Sequence, residues 1–164
     1  MELIVCGPED LDVLASLYAQ AVKYLESHVN YPKWHSDYPC RDSIRSCIQA
    51  GTQFICTENG CPVGAVVLNE EPGVRYEAVS WASSLRQGEY LVLHTLAVSP
   101  VCYGQGVGST MHPICPQKWL QGYPSGCGPA IRLYEKTGFT YAGTADLLRG
   151  IEDIPLFDLY ELNL

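Results

Sequence analysis

The sequence predicts a single α/β domain over residues 1–164. Two observations favour this class. Helical and strand-like patterns alternate along the chain, and no linker, repeat or low-complexity stretch separates them. The length and the apolar fraction of 47% are typical of one domain with a sizeable core. We therefore expect one folded domain rather than modules joined by linkers.

The first third of the chain is predicted to hold a strand, a long helix, a loop and a short helix. Leu3–Cys6 has a strand-like pattern, and Pro8 suits the first position of a helix. Apolar side chains then recur at helical spacing: Leu11, Leu14, Tyr18, Ala21, Val22 and Leu25. Residues 28–41 hold two prolines and several aromatic side chains, which predicts an aromatic loop. A short helix is expected at about residues 42–50.

The middle of the chain is predicted to be strand-rich. Phe54–Thr57 and Val63–Leu68 flank Glu58-Asn59-Gly60, and Asn-Gly is the strongest short hairpin signal. Tyr76–Trp81 is predicted as a third strand of this sheet. Tyr90–Val98 is long and nearly uncharged, as a central strand would be. Two later segments also have strand-like patterns: Phe139–Gly143 and Leu156–Leu162.

A glycine-rich turn follows the predicted central strand. After Leu93–Pro100 the chain reads Gly104-Gln105-Gly106-Val107-Gly108-Ser109. Alternate glycines let a backbone approach a ligand closely, and the amides that open a following helix favour an anion. The turn therefore predicts a site for a pyrophosphate-bearing cofactor, although an ordinary flexible turn gives the same pattern.

Two other nucleotide-binding motifs fit this turn poorly. A dinucleotide fold needs a third glycine where Ser109 stands, and it turns directly after the strand, whereas residues 99–103 intervene here. A Walker A loop needs Gly-Lys followed by Ser or Thr, and no Gly-Lys-Ser/Thr follows these glycines. The spacing thus disfavours both classes.

A second motif, together with the first, resembles the GNAT superfamily of acyl-CoA-dependent N-acyltransferases. The family turn pattern is met by Gly106 and Gly108, and the later Leu-Tyr-Glu-x-x-Gly-Phe pattern is met by Leu133–Phe139, at the end of a predicted helix. The resemblance covers nearly the whole chain. It implies a GNAT-type fold, in which a central mixed sheet is flanked by helices, and it implies acetyl-CoA as the cosubstrate.

The resemblance also implies which residues bind the cofactor. Strand residues Leu96, Ala97 and Val98 would hold the pantetheine arm like an added strand. The turn would hold the pyrophosphate through its backbone amides, over Tyr103, Gly104, Gln105, Gly106, Val107, Gly108 and Ser109. The family has Gln or Arg where Tyr103 stands, so only backbone contacts are expected at that end.

Tyr134 is the predicted general acid, because the motif tyrosine of the family places its hydroxyl near the thioester sulfur. A phenol with a pKa near 10 donates to a developing thiolate without ionising at neutral pH. The alternative is a core-facing helix tyrosine that packs beside Leu133.

His94 is the predicted proton acceptor for the amine. Its Leu-His-x-Leu-Ala-Val setting is similar to that of serotonin N-acetyltransferase, a GNAT member in which strand histidines serve a proton path. Imidazole titrates near pH 6.5, so it accepts a proton at neutral pH. A histidine packed in a central strand is the alternative. Glu77 and Glu89 are other candidate bases, each more typical of a solvated carboxylate, and a water chain would need no base.

The aromatic loop is a candidate amine pocket. Trp34 and Tyr38 lie in it, and loops on a rigid scaffold often carry specificity. Capping of the sheet edge is the competing interpretation. With Glu77, these two residues form the weakest group of predicted substrate contacts.

Net charge and cysteine content indicate which binding partners and metals the protein is expected to have. A net charge of −8 disfavours nucleic acid and favours a cationic amine, small or peptidic. No apolar run approaches the ~18 residues of a membrane helix, and the start of the chain lacks a signal peptide, so a cytoplasmic protein is expected. The eight cysteines are scattered without C-x-x-C, which disfavours disulfides and zinc; no metal is expected.

One segment departs from the family. Between Gly108 and Tyr134 the chain is short by about one strand, and Pro113 and Pro116 fall inside the helix expected after the turn. Cys127 also stands where the family often has asparagine. Three explanations remain open: a strand near Trp119–Pro124 fills the place beside the central strand, residues are missing, or a second chain pairs there as a homodimer.

The sequence as a whole predicts an enzyme that transfers an acetyl group from acetyl-CoA to a primary amine by direct attack. The main alternative is a regulatory module that binds acyl-CoA without turnover, because the slot is shortened. A dinucleotide-binding protein is a third, weaker alternative.

Overall fold

The computed structural model describes residues 1–82, 86–111, 118–151 and 153–163. Within these ranges the helices are α1 (Leu11–Glu26), α2 (Arg41–Gln49), α3 (Val107–Thr110) and α4 (Gly128–Lys136). The strands are β1 (Glu2–Val5), β2 (Gln53–Glu58), β3 (Cys61–Asn69), β4 (Tyr90–Val98), β5 (Lys118–Pro124), β6 (Thr140–Ala145) and β7 (Phe157–Leu162).

The seven strands form one mixed sheet in the order β1-β2-β3-β4-β5-β7-β6. Antiparallel pairs join β1 to β2, β2 to β3, β5 to β7, and β6 to β7. Strands β4 and β5 are parallel, in a register that runs from Tyr90↔Lys118 to Leu93↔Gln121. The α/β class with a mixed sheet and flanking helices, as the sequence predicts, is confirmed.

The described chain divides into two compact units. The first comprises Met1–Leu68 and the described residues from His94 to Met111. The second comprises Asn69–Leu93 and the described residues from Lys118 onward. Strand β4 contributes its first four residues to the second unit and its last five to the first.

Helices α1 and α2 build the core of the first unit. The predicted stripe of α1 is confirmed at its centre, since Leu14, Tyr18 and Ala21 are buried at helical spacing, and Leu17, which was not predicted, is buried beside them. They pack in one cluster with α2 and with strand residues that include Ile55, Ala65 and Ala97. No helix among the described residues is long and apolar enough to cross a membrane.

The predicted hairpin joins β2 to β3. The register runs from Gln53↔Val67 to Glu58↔Cys61, so the strands are antiparallel as expected. Asn59 and Gly60 have φ values of 51° and 77°. Two successive left-handed residues make the tight turn that matches strand twist, which is why Asn-Gly is a reliable signal.

The prediction of a strand at Tyr76–Trp81 is wrong. A 3-10 turn spans Tyr76–Ala78 instead, after Arg75 in a left-handed conformation. Within this segment, Tyr76, Val79 and Trp81 pack on the core of the second unit. A strand would place every second side chain on one face, and the interval from Tyr76 to Val79 does not fit that alternation. Trp81 Nε1 donates to the carbonyl of Tyr76 at 2.8 Å, which closes the turn. Packing therefore overrides the strand pattern.

A strand occupies the place left open by the shortened segment. It is β5, which pairs with β4 on one side and with β7 on the other. Of the three explanations, the strand near Trp119–Pro124 is the one confirmed. The helix expected after the glycine turn is observed at Val107–Thr110. Any continuation through Pro113 and Pro116 lies outside the described residues.

Candidate functional site

Strand β4 contains a left-handed residue at its centre. Thr95 has φ 49° while remaining within the strand. A β-branched residue with positive φ is a real outlier, since its side chain crowds the backbone, and such residues cluster at functional sites. Its neighbours are His94, the predicted proton acceptor, and Leu96, the first of the predicted pantetheine-binding residues.

Two tyrosines from distant parts of the first unit hold Thr95. The Tyr18 hydroxyl donates to the Thr95 carbonyl oxygen at 3.0 Å. The Tyr38 hydroxyl lies 2.9 Å from Thr95 Oγ1. A net hydrogen bond contributes about 0.5–1.5 kcal/mol, while the left-handed conformation costs about 1–2 kcal/mol, so the two bonds together are of the right size to offset it.

The Gln53 side chain donates a hydrogen bond to the Tyr18 hydroxyl. Its Nε2 atom lies 3.2 Å from the Tyr18 hydroxyl oxygen, and at the same distance from the carbonyl oxygens of Phe54 and Val66. Gln53 is buried, and burial raises the pKa of Tyr18 above the range of a free phenol. The phenol therefore keeps its proton, accepts from Gln53 and donates onward to Thr95.

The aromatic loop reaches strand β4 through Tyr38. Trp34 packs edge-on against Tyr18 and Tyr38, with ring centroids 6.3 and 6.4 Å apart. Tyr38 remains 47% exposed. The structure thus brings Trp34 and Tyr38 together beside the residue that follows His94. This arrangement gives the loop a contact with the predicted catalytic strand.

The glycine loop after β4 has the backbone that the spacing predicts. Gly104 and Gly106 have φ values of 78° and 82°, and a Cβ atom at either position would meet open space. None of the described residues accepts a hydrogen bond from the amides of Gly104, Gly106, Val107 and Gly108. The Gln105 amide donates to the Cys102 carbonyl, so the successive amides are those of Gly106, Val107 and Gly108, and they follow two left-handed glycines as in a concavity suited to an anion.

This loop has no charged side chain. Residues 99–111 contain no Lys, Arg, Asp or Glu. The Gln105 side chain donates to the Val101 carbonyl at 3.1 Å, so it serves the loop itself. Tyr103 packs edge-on against Tyr24, with centroids 4.8 Å apart, and is 41% exposed. An anion here would therefore be bound by backbone amides rather than by an ion pair.

Tyr134 lies on α4 in the second unit and is fully buried. Its ring packs against Phe139, Tyr160 and Tyr123, with centroids 5.3, 6.0 and 6.2 Å away. Burial raises the pKa of Tyr134 well above its ordinary value, and the nearby side chains of Tyr123, Cys127 and Tyr76 raise it further. The hydroxyl is therefore protonated at neutral pH, as a general acid must be. Its catalytic role stays a prediction.

The two carboxylates considered as bases are on the surface. Glu77 lies on the exposed side of the 3-10 turn in the second unit. Glu89 is 59% exposed and forms an ion pair with Arg86 at 3.9 Å. Both environments are those of solvated carboxylates. Among the described residues no group of three or more His, Cys, Asp or Glu side chains is arranged to hold a metal ion.

The network around Thr95 is the part of the site that sequence reasoning missed. Tyr18 fits the apolar stripe of α1, so nothing in the helix pattern marks its hydroxyl. Gln53 is fully buried in the structure and therefore needs partners, but its burial has no local signal in the sequence. The left-handed Thr95 gave none, since threonine favours extended strands.

A family model described as the acetyltransferase (GNAT) family matches residues 16–113. The match covers α1 from Ser16 onward, the aromatic loop, strands β2 to β4 and the glycine loop, and it ends before Tyr134. No curated protein matches the chain.

Solved structures of acetyltransferases are similar to the chain at low sequence identity. A GNAT family acetyltransferase from Streptococcus agalactiae has a TM-score of 0.80 at 18% identity, covering 99% of this chain and 95% of that one. A putative acetyltransferase from Salmonella typhimurium, solved with its cofactor acetyl-CoA, has a TM-score of 0.67 at 16% identity, covering 99% and 93%. A ribosomal-protein-alanine N-acetyltransferase from Brucella melitensis has a TM-score of 0.68 at 14% identity, covering 100% of both chains.

Proposed function

Because the chain belongs to the acetyltransferase (GNAT) family, we propose that it transfers an acetyl group from acetyl-CoA to a primary amine by direct attack. The observation that carries the proposal is the loop after β4, where two left-handed glycines and four amides with no acceptor among the described residues follow the strand. This backbone suits the pyrophosphate of acetyl-CoA. An acetyl-CoA-bound relative from Salmonella typhimurium has a similar fold and supports this choice of cosubstrate.

The chain's residues divide the binding of the cosubstrate between strand and loop. We assign the pantetheine arm to backbone groups of Leu96, Ala97 and Val98, which lie beyond the four-pair register of β4 with β5. We assign the pyrophosphate to the amides of Tyr103–Ser109. Holding the thioester in place removes much of the entropic barrier to its reaction with a bound amine.

Two proton transfers complete the reaction. The neutral amine nitrogen attacks the thioester carbonyl carbon, so that a C–N bond forms and the C–S bond breaks. His94 accepts the proton lost by the amine, directly or through water, and the Tyr134 hydroxyl donates a proton to the departing thiolate. Burial raises the pKa of Tyr134, so its hydroxyl still carries a proton at neutral pH when the thiolate forms.

An amine acceptor is favoured over other nucleophiles by two facts. The relative from Brucella melitensis is named as an N-acetyltransferase, and a net charge of −8 attracts cationic amines. The aromatic loop, with Trp34 and Tyr38, is the proposed acceptor-facing segment because it contacts the residue after His94. We place the reaction in the cytoplasm, where acetyl-CoA is available.

The experiment combines ligand binding with turnover. Thermal unfolding is measured with acetyl-CoA, CoA and NADH, and thiol release from acetyl-CoA is then followed with a panel of primary amines. We expect stabilisation by acetyl-CoA and CoA, and release with at least one amine.

Two other results would point elsewhere. Stabilisation by acetyl-CoA without release from any amine favours the regulatory module that binds acyl-CoA without turnover. Stabilisation by NADH alone favours a dinucleotide-binding protein and rejects the transferase.

A further inference from the structure

We propose that Tyr18 is a positioning residue whose hydroxyl, supported by Gln53, fixes the direction of the Leu96 amide. The inference rests on the proposed function only in its last step, where that amide holds acetyl-CoA. Its first step, the fixing of the backbone, follows from the contacts of Thr95 alone.

The peptide between Thr95 and Leu96 links the Tyr18 contact to the Leu96 amide. This peptide is trans, since Tyr38-Pro39 is the only cis bond found in the described residues. In a planar trans peptide the carbonyl and the N–H point in opposite directions. Because the Tyr18 hydroxyl holds the Thr95 carbonyl at 3.0 Å, the Leu96 N–H is turned away from α1.

The left-handed conformation makes this control necessary. Thr95 would relax toward negative φ if nothing held it, because its branched side chain crowds the backbone at φ 49°. Relaxation would rotate the peptide plane and carry the Leu96 N–H with it. Two hydroxyls prevent this, one on the carbonyl and one on Oγ1, and the buried one belongs to Tyr18.

Gln53 determines which way the Tyr18 hydroxyl points. A phenol oxygen that accepts from Nε2 has its own proton free to donate, and the Thr95 carbonyl is the acceptor in reach. The chain Gln53, Tyr18, Thr95 therefore runs in one direction, and each bond strengthens the next. It joins β2, α1 and β4, which are distant in sequence.

The test uses Tyr18→Phe, with Tyr90→Phe as the matched control. Both variants remove one phenol hydroxyl from a buried ring, and Tyr90 lies on the same strand as Thr95. Amide hydrogen exchange of residues 94–98 is measured first, since it needs neither ligand nor turnover. We expect faster exchange in Tyr18→Phe and parental exchange in Tyr90→Phe. Equal exchange in the two variants would overturn the proposal.

Affinity and turnover give the second readout. Loss of a well-directed amide should weaken acetyl-CoA binding about fivefold and raise its KM to match, while kcat and the KM of the amine change less than about twofold. A general loss of folding would lower the active fraction instead, and kcat with it. A fall in kcat at unchanged acetyl-CoA affinity would contradict the positioning role.

Rescue by glycine is the decisive arm. Glycine adopts positive φ without the side-chain penalty, so Tyr18→Phe/Thr95→Gly should bind acetyl-CoA about twofold more tightly than Tyr18→Phe, and still less tightly than the parent because glycine adopts negative φ as readily. Failure of this rescue would mean that Tyr18 acts by another route and would reject the proposal. Gln53→Met, which removes the donor behind Tyr18, should reproduce the Tyr18→Phe pattern at smaller size. If the parent binds no acetyl-CoA, the proposed function fails, and exchange alone decides the fixing of Thr95.

Discussion

The two halves of strand β4 differ in what shapes them. Tyr90–Leu93 is regular, mostly buried and paired with β5 in an unbroken parallel register. His94–Val98 contains the left-handed Thr95, which is held by hydroxyls from Tyr18 and Tyr38. The first half is shaped by apolar burial, which any strand of this composition shares. The second is shaped by specific hydrogen bonds, and every strand residue with a proposed role in the reaction lies there.

This difference predicts that the first half governs stability. Leu93 is 1% exposed, so Leu93→Ala should lower the free energy of unfolding by about 2–5 kcal/mol. Its kcat, measured where the variant is folded, should stay near that of the parent. Denaturant unfolding provides the check. Leu96→Ala, at a half-buried position in the second half, is the matched control, and a larger loss there than at Leu93 would contradict the comparison.

Tyr134 sharpens the comparison, because it lies in a regular, buried region and still has a proposed chemical role. Tyr134→Phe keeps the ring and its packing, so we expect kcat to fall on the order of 10²-fold with acetyl-CoA affinity little changed. Single-turnover kinetics measure the chemical step. The control is Tyr160→Phe, whose ring packs 6.0 Å from Tyr134. Equal effects in both variants would return Tyr134 to a packing role.

Each unit also contains a buried weak acid whose pKa is higher in the folded state than in the unfolded state. Burial, with a smaller effect of Asp10, raises the pKa of Cys6 to about 12, and burial raises the pKa of Tyr76 to about 12. The folded state binds these protons more tightly than the unfolded state does. The stability they confer is intact below the unfolded pKa and is lost as pH rises toward 12.

The onset of that loss differs between the units, and this is the smallest effect expected. The ordinary values are 9.0 for the thiol and 10.0 for the phenol. The free energy of unfolding should therefore decrease less steeply with pH in Cys6→Ala than in the parent, starting at about pH 9. In Tyr76→Phe the same difference should start only at about pH 10. Denaturant unfolding across this range measures both slopes. A parental slope in Cys6→Ala would show that its thiol is not protected.

The local pattern of apolar and turn-forming residues predicted most of the helices and strands, because these elements are determined by residues close together in sequence. The stripe of α1, the Asn-Gly hairpin and the strand Tyr90–Val98 all follow from neighbours in sequence. The prediction of a strand at Tyr76–Trp81 was wrong because contacts with the core of the second unit determine the conformation of this segment. Pattern alone left the strand β5 as one of three possibilities.

The candidate site divides in the same way. The glycine loop was predictable, because positive φ is a property of glycine itself. The hydrogen bonds to Thr95 were not predictable, since Tyr18 and Tyr38 lie 77 and 57 residues away in sequence. A buried hydroxyl on a helix stripe has no local signature. Long-range hydrogen bonds of this kind require coordinates.

The most direct test of the account compares two glycines of the first unit. Gly106 and Gly60 have φ values of 82° and 77°, both are exposed, and a Cβ at either meets open space. Alanine at either position should therefore cost a similar stability, about 1 kcal/mol. Calorimetric titration with acetyl-CoA separates them. Gly106→Ala should weaken binding by about tenfold or more because its Cβ intrudes on the anion, while Gly60→Ala binds like the parent. Equal affinity in the two variants would contradict the assignment of this loop to acetyl-CoA.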